Sequence, residues 1–298
     1  MNKKLLAAAL LIAVPNAYAI SPIPQESGFS GFVNLGVAGG QVESNTVAKI
    51  IGVDLGDDGI SDVNSAPGEE DVVLPLAAAE LSYTFADSGT QIFLGTLLED
   101  FVRFDSSTRF GVRQSLGGAG VASVAALATS PMGAKVWKDP YRTSSEGERK
   151  STERTAKGVR LAWGKIFGTG LEVRYSVREQ DIDDDQLGLS RVEAGDITAI
   201  ESQQLDRNGD ITRTDLRYSF ALGEGSSLDI GTSYQEHDLD GDAYAYDGYG
   251  GEINWIQKVG AWRFVTNVAY GQFEAEGDNP VYGETGDFDR MGGSFTAF

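Results

Sequence analysis

The only histidine of the chain, His237, stands in Gln235-Glu236-His237-Asp238. An imidazole beside a carboxylate can activate water or a serine hydroxyl, so a hydrolase using His237 at an exposed rim is one chemistry to weigh. Neighbours in an extended chain point to opposite faces, however, and no positioned serine or second carboxylate accompanies the pair. A solvated histidine at a strand end is the preferred reading, and the chain is not expected to be an enzyme.

Acidic clusters offer a second chemistry. Asp238, Asp240 and Asp242, in Asp238-Leu239-Asp240-Gly241-Asp242, place oxygen ligands at alternate positions with a glycine to bend the chain, which suits calcium. Asp206-Arg207-Asn208-Gly209-Asp210 has a similar spacing. Neither carries the sixth-position glycine or the twelfth-position glutamate of an EF-hand, so acidic turns are the simpler reading and no cofactor is expected beyond that speculative calcium. Asp181-Ile182-Asp183-Asp184-Asp185 reads as a solvated charge run. Between Lys135 and Lys157 the trend reverses, with Lys138, Arg142, Arg149, Lys150 and Arg154 among few acids. That stretch suits a loop folded into a lumen as a constriction, a contact for lipopolysaccharide phosphates or, preferred here, a set of partners for neighbouring acidic loops.

Most of the remaining charges follow a different rule. Glu80, Arg109, Arg113, Arg160, Glu172, Arg174, Arg178, Asp215, Arg217, Asp229, Glu252 and Arg263 each stand on the polar face of segments that alternate with a period of two. Such segments are strands with one apolar and one polar face. Leu216, Tyr218, Phe220 and Leu222 against Asp215, Arg217 and Ser219 show the pattern clearly, as do Leu171, Val173, Tyr175 and Val177 against Glu172, Arg174, Ser176 and Arg178. An arginine at the middle of a bilayer costs about 2–4 kcal/mol, so if the apolar face meets lipid the charged set must line a lumen.

Read in order, strands are expected from Phe29 to Gly39, around Leu81 to Phe85, from Gln91 to about Leu98, through Phe110 to Leu116, and from Val121 to Thr129. Further strands run through Val159 to Trp163 and Leu171 to Val177, then four between Arg213 and Phe273, and a last from about Phe288 to Phe298. Short joins such as Asp87-Ser88-Gly89, Gly117-Gly118 and Gly223-Glu224-Gly225-Ser226 alternate with long ones: Gln41 to Asp71, Ser130 to Ala156 and Asp181 to Gly209. Tight turns at one end and long loops at the other mark an antiparallel up-and-down transmembrane β-barrel. Its even count of about twelve strands becomes fourteen if the sequence stops before the natural end. Closure satisfies every backbone amide in hydrocarbon. A soluble sandwich shows the same alternation, with Greek-key crossovers in place of this segregation of loops. Trp163, Tyr218, Trp255 and Trp262 fall near short turns, and Tyr234, Tyr249 and Tyr270 about one membrane thickness away, as two aromatic girdles would.

The address agrees with that architecture. Lys3 and Lys4, the apolar run Leu5 to Val14 and Asn16-Ala17-Tyr18-Ala19 form a signal peptide, residues 1–19, cleaved after Ala19, leaving residues 20–298 as one barrel domain. Its loss takes the net charge from -20 to -22, which repels phosphates and argues against nucleic-acid binding. With no cysteine, disulfide frameworks, thiol catalysis and thiolate metal sites are excluded.

The block Gly28-Phe29-Ser30-Gly31-Phe32, within Pro22 to Gly36, resembles the start of the family "domain of unknown function 2860" of gammaproteobacterial envelopes. The resemblance implies an exported outer-membrane barrel and brings no ligand or catalytic residue. The expected function is a narrow channel for small hydrophilic solutes, or alternatively a non-conducting, surface-exposed structural or interaction barrel. Expected partners are the lipid bilayer, lipopolysaccharide and the barrel-insertion machinery.

Overall fold

A computed structural model describes residues 23–50, 53–55, 59–65, 69–96, 107–129, 134–260 and 262–297. The signal peptide, the end of the third strand beyond Thr96 and Phe298 lie outside these residues.

Twelve long strands follow one another in the sheet in the order of the sequence, each antiparallel to the next. They are β1 (Gly28–Glu43), β2 (Glu69–Phe85), β3 (Thr90–Thr96), β4 (Ser107–Ser115), β5 (Val121–Thr129) and β6 (Ser151–Gly164). The second half comprises β7 (Leu171–Ile182), β8 (Gly209–Gly223), β9 (Ser226–Leu239), β10 (Tyr246–Val259), β11 (Trp262–Ala275) and β12 (Phe288–Ala297). The fold is the all-β, antiparallel up-and-down barrel class that the alternation implies. Several strands are longer than the sequence reading expects: β6 begins at Ser151 and β8 at Gly209, and β1 and β2 extend into the expected acidic loop. β1 and β2 pair as far as Glu43 opposite Glu69, so Glu69, Glu70 and Asp71 belong to a strand and not to the acidic loop. Their charge density hid a ladder that continues beyond the apolar stretch, where exposed strand ends tolerate acids.

Alternation sorts the side chains in the middle of β2 to β12, whereas on the edge strand β1 both Phe32 and Val33 are exposed. On β8, Leu216, Tyr218, Phe220 and Leu222 are exposed while Arg217 between them is buried. On β10, Ile253 and Trp255 are exposed and Asn254 between them is 1 % exposed. All the aromatics expected in the girdles lie on the exterior face, with Trp163, Tyr218, Trp255, Trp262, Tyr249 and Tyr270 exposed. A water-soluble sheet would cover such a surface, since a contiguous apolar face of this size is an interaction face. No helix among the described residues is long and apolar enough to cross a membrane.

The turns at one end are tight. Gly225, between β8 and β9, takes a left-handed φ of 75°, and a Cβ there would come within 2.8 Å of the Lys258 Cβ, so two constraints select glycine. The indole of Trp163 at the end of β6 donates to the carbonyl of Ala119 in the neighbouring turn at 2.9 Å. At the other end the first and last long loops meet: the hydroxyl of Tyr282 donates to the carbonyl of Val63 at 3.2 Å. These two residues lie 219 positions apart in sequence, so the meander has curled until its two edges approach, with the charged face inside.

Replacing Val268, exposed in mid-strand on β11, by arginine should cost about 2–4 kcal/mol if that face meets acyl chains. Urea unfolding in phospholipid vesicles measures it; an unchanged midpoint for Val268→Arg would mean that the exterior of β11 faces water.

Candidate functional site

The interior is a lattice of ion pairs laid across the strands. Glu80 on β2 accepts from Arg109 and Arg113 on β4, with Arg113 bidentate at 2.7 Å to each oxygen. Arg113 also donates to the Gln91 side-chain oxygen at 2.8 Å, and Gln91 donates to Thr84 at 3.1 Å. Under this group lies Phe93, 2 % exposed, with the Arg113 guanidinium 4.0 Å from its ring centre and Arg109 at 5.2 Å. Farther round the wall, Arg174 pairs with Glu172 at 2.5 Å, Arg213 with Asp215 at 2.7 Å, and Arg217 with Glu252. The Asn267 amide donates to the Asn254 oxygen at 2.6 Å, both fully buried. Arg160 and Arg178 stand on the same face. Asp229 is buried there with Ser219 and Asn254 as its register neighbours, and Arg263 is half-buried; neither has an ion pair among the described residues.

Sequence reasoning missed Phe93 because Ile92-Phe93-Leu94 is apolar throughout, so the alternation carries no contrast there. The register supplies the reason a ring fits, since Phe93 stands opposite Gly111.

Above the lattice the long loops build a cap with its own core. Tyr141, Leu187, Ile197, Leu205 and Ala243 are buried together, with Val63, Val192, Tyr244 and Val281 against them. These residues come from five different joins of the meander. The Tyr141 hydroxyl lies 3.0 Å from that of Tyr244 and accepts from the Asn279 amide at 2.7 Å. Burial, then the nearby Tyr244, push the Tyr141 phenol well above its ordinary range, so it stays neutral. Asp139 fastens two loops by accepting from the backbone of Tyr141 at 3.1 Å and of Ser190 at 2.8 Å. The latter opens a short helix, α1 (Leu189–Ala194). Arg207 is buried against Asp185 at 2.7 Å and donates to the carbonyl of Trp137 at 2.9 Å. Arg191 pairs with Glu146 and, at 3.0 Å, with Asp196.

Several residues of the basic stretch pair with neighbouring acids. Lys135 pairs with Glu153 at 3.8 Å, Lys138 with Asp184, Arg142 with Glu193 at 3.8 Å and Lys157 with Glu179 at 3.0 Å. In the acidic run Asp181 to Asp185, Asp181, Asp183 and Asp184 stay exposed, Asp184 pairing with Lys138, and Asp185 is drawn inward as the partner of Arg207.

His237 requires a correction. It lies on the interior face of β9, stacked on Tyr246 of β10 with ring centres 4.1 Å apart, and its Nε2 is 2.9 Å from the Tyr246 hydroxyl. It is therefore not a solvated rim residue, because β9 continues as a paired strand to Leu239 and keeps odd-numbered side chains inside. Asp238 beside it faces outward, and the hydrogen-bonding groups around the imidazole are Gln235 and Tyr246, neither a carboxylate nor a serine.

The sequence profile of a family described as "Protein of unknown function (DUF2860)" matches residues 28–298. The chain belongs to this family. No curated protein matches it in sequence. Among solved structures it is similar to outer-membrane expressed OmpT of Vibrio cholerae, at 11 % identity and a TM-score of 0.46, covering 74 % of this chain and 63 % of that one. It is also similar to in-vitro folded OmpT of Vibrio cholerae, at 11 % identity and a TM-score of 0.40, covering 90 % and 96 %. Likeness at this level assigns no residue and no activity.

In this DUF2860 chain the calcium reading also needs correction. Among the described residues no group of three His, Cys, Asp or Glu side chains is gathered to hold a metal ion. Asp238 is a strand residue facing outward, Gly241 donates its backbone N–H to the Asp206 carbonyl, and Asp242 lies against Gly277. Asp206 closes its own turn by accepting from the Asn208 backbone at 2.9 Å.

Two outcomes test these networks. Glu80→Gln keeps the volume but strips two buried arginines of their counter-charge, and should lower stability by about 3–5 kcal/mol in urea titration. An effect below 1 kcal/mol would show the pair to be water-exposed. At Glu146, burial raises the carboxyl pKa but is outweighed by the Thr143 backbone and hydroxyl and by Arg191, so the folded value is lowered. Its contribution to the cap is therefore full above the ordinary carboxylate range and is lost as pH falls through the lowered folded value. Protection factors of residues 139–147, taken relative to intrinsic exchange at each pH, should fall on acidification in the wild type, and Glu146→Gln should remove that part of the pH dependence.

Proposed function

We propose that this chain is an exported outer-membrane barrel whose resting state does not conduct freely, and which shows the cell exterior a folded loop surface rather than an open mouth. The observation that carries the reading is the convergence on Tyr141. Loops rooted at widely separated points of the ring meet at a residue that is 2 % exposed, so they cross the mouth. The interior supports it, because a wide aqueous pore would leave its charged side chains hydrated, whereas Glu80, Glu172, Arg178 and Arg217 are buried. Placement in the outer membrane is supported by the exposed aromatic and aliphatic exterior and by the leader-like residues 1–19. Lipid and lipopolysaccharide are then the surroundings of the barrel, and the insertion machinery its route of assembly. A hydrolase is not proposed, since the surroundings of His237 supply neither a nucleophile nor an orienting carboxylate.

A narrow channel for small hydrophilic solutes is the second reading, favoured by small interior positions such as Gly158, Gly231, Gly248, Gly250 and Gly271 on β6, β9, β10 and β11. In that case the cap is a gate.

Heat-modifiable migration of the membrane fraction tests the location, and planar bilayers test the closure. The wild type should be silent or open rarely to small conductances. Tyr141→Ala combined with Arg207→Ala, which removes the centre of the cap and its buried ion pair, should raise the open fraction at least about tenfold if the cap contributes near 1.4 kcal/mol to closure. A steady, large ohmic conductance in the wild type would overturn the resting-closed reading.

A further inference from the structure

Beneath the cap, the outer ends of the strands separate charge by face. On the exterior of β7 to β12 stand Glu179, Asp210, Glu236, Asp247, Glu274 and Asp289, all of the parity that faces away from the lattice. The interior at this level carries the opposite sign: Arg154 of β6, Arg178 of β7, Arg213 of β8 and Arg290 of β12, with His237 and Tyr246 between them. Asp215, paired with Arg213, is the acid among them. The next acids along the interior wall are already paired, Glu172 with Arg174 and Glu252 with Arg217. From the cap side, Arg207 approaches Arg154 with its charge balanced by Asp185.

These groups come together across the interior rather than along the wall. Arg154 and Arg290 are six strand positions apart in the sheet, about 29 Å along its surface at the usual strand spacing. Yet both lie close enough to Tyr246 to act on it, and Arg290 sits over the Phe273 ring that Tyr246 meets edge-on. Arg154, Arg290 and Arg213 all act on His237 as well. Among the described residues no carboxylate lies within ion-pair distance of Arg154 or Arg290, whereas Arg109, Arg113, Arg174, Arg213 and Arg217 on the same wall each have one.

The wall here is shaped as well as charged. Phe273 and Phe288 stack at 4.9 Å, Tyr246 meets both edge-on, and Arg290 lies 5.1 Å above the Phe273 ring. The Phe273 ring occupies room left by two interior glycines: a Cβ on Gly248 would come within 2.6 Å of it and one on Gly271 within 3.0 Å. Guanidinium groups keep their proton in proteins, so Arg154 and Arg290 cannot relieve their burial by becoming neutral. An anion that enters supplies the missing charge, and planar guanidinium forks match the oxygens of a carboxylate or phosphate.

We propose that the interior chamber bounded by Arg154, Arg213, Arg290, His237 and Tyr246 is a binding site for a small oxyanion, a phosphate- or carboxylate-bearing solute held under the cap. Arg154 and Arg290 grip it from opposite walls, and Arg213, already shared with Asp215, adds field rather than a dedicated contact. The inference concerns occupancy, and holds whether the barrel conducts or stays shut.

The test is isothermal titration calorimetry of the full folded barrel in detergent with inorganic phosphate and, separately, succinate. Saturable binding near one ion per chain is expected for at least one of them, and the one that binds names the source of the oxyanion. Arg290→Gln and Arg154→Gln should each weaken it at least about tenfold, while Lys157→Gln, on the exterior beside Glu179, should leave it unchanged. Heat-modifiable migration identifies the variants that are folded, and either arginine variant suffices. Absence of saturable binding by both anions in the wild type, or binding by a folded Arg290→Gln or Arg154→Gln equal to that of the wild type, would overturn the proposal.

Discussion

The backbone ladder is the constraint from which everything else in this molecule follows. A strand in hydrocarbon has no water to satisfy its amides, so each must find a partner in the next strand and the meander must curl until its edges approach. Once curled, the period of two leaves no freedom. Every second side chain is committed to the lipid-facing exterior and every other to a confined interior, and a one-residue slip would exchange the two sets. The Glu80–Arg113 and Arg217–Glu252 pairs are consequences of that confinement, since charges forced inside must find counter-charges there.

The same confinement explains the division of labour between wall and loops. The wall is matched charge for charge over most of its length, which makes it rigid and poor as a recognition surface. The loops, free of the period of two, could assemble an apolar core around Tyr141 and Leu205 and tie it with Asp139, Arg191 and Arg207. Where the two meet, Arg154 and Arg290 have no carboxylate within ion-pair distance among the described residues, and there an anionic ligand has much to offer.

Much of the strand architecture was legible in the sequence, because alternation is a local property: Leu216 to Leu222 and Leu171 to Val177 declare their faces without help from any partner. What was not legible depends on contacts far apart in the chain. Arg154 read as part of a basic loop because its strand begins at Ser151 among polar residues, with no apolar neighbours to mark the face. Phe93 was hidden in an apolar run, and Arg290 in the mixed charges of Asp289-Arg290. The Asp238 to Asp242 spacing suggested calcium, but β9 holds Asp238 in an extended strand, and among the described residues no group of three such side chains is gathered to hold a metal. Local spacing describes a site only where the chain turns, and here it had not yet turned.

The contact between Val63 and Tyr282 ties the first outer loop to the last. It cannot form on a nascent chain that lacks its final hairpin, and the Tyr141 core draws on Val281 from the same late segment. Shielding of the outer loops from external proteases therefore arrives as a late step of biogenesis. A molecule stalled during insertion would offer cleavable loops to the medium, whereas a finished one conceals them, so the lid doubles as a mark of completed assembly.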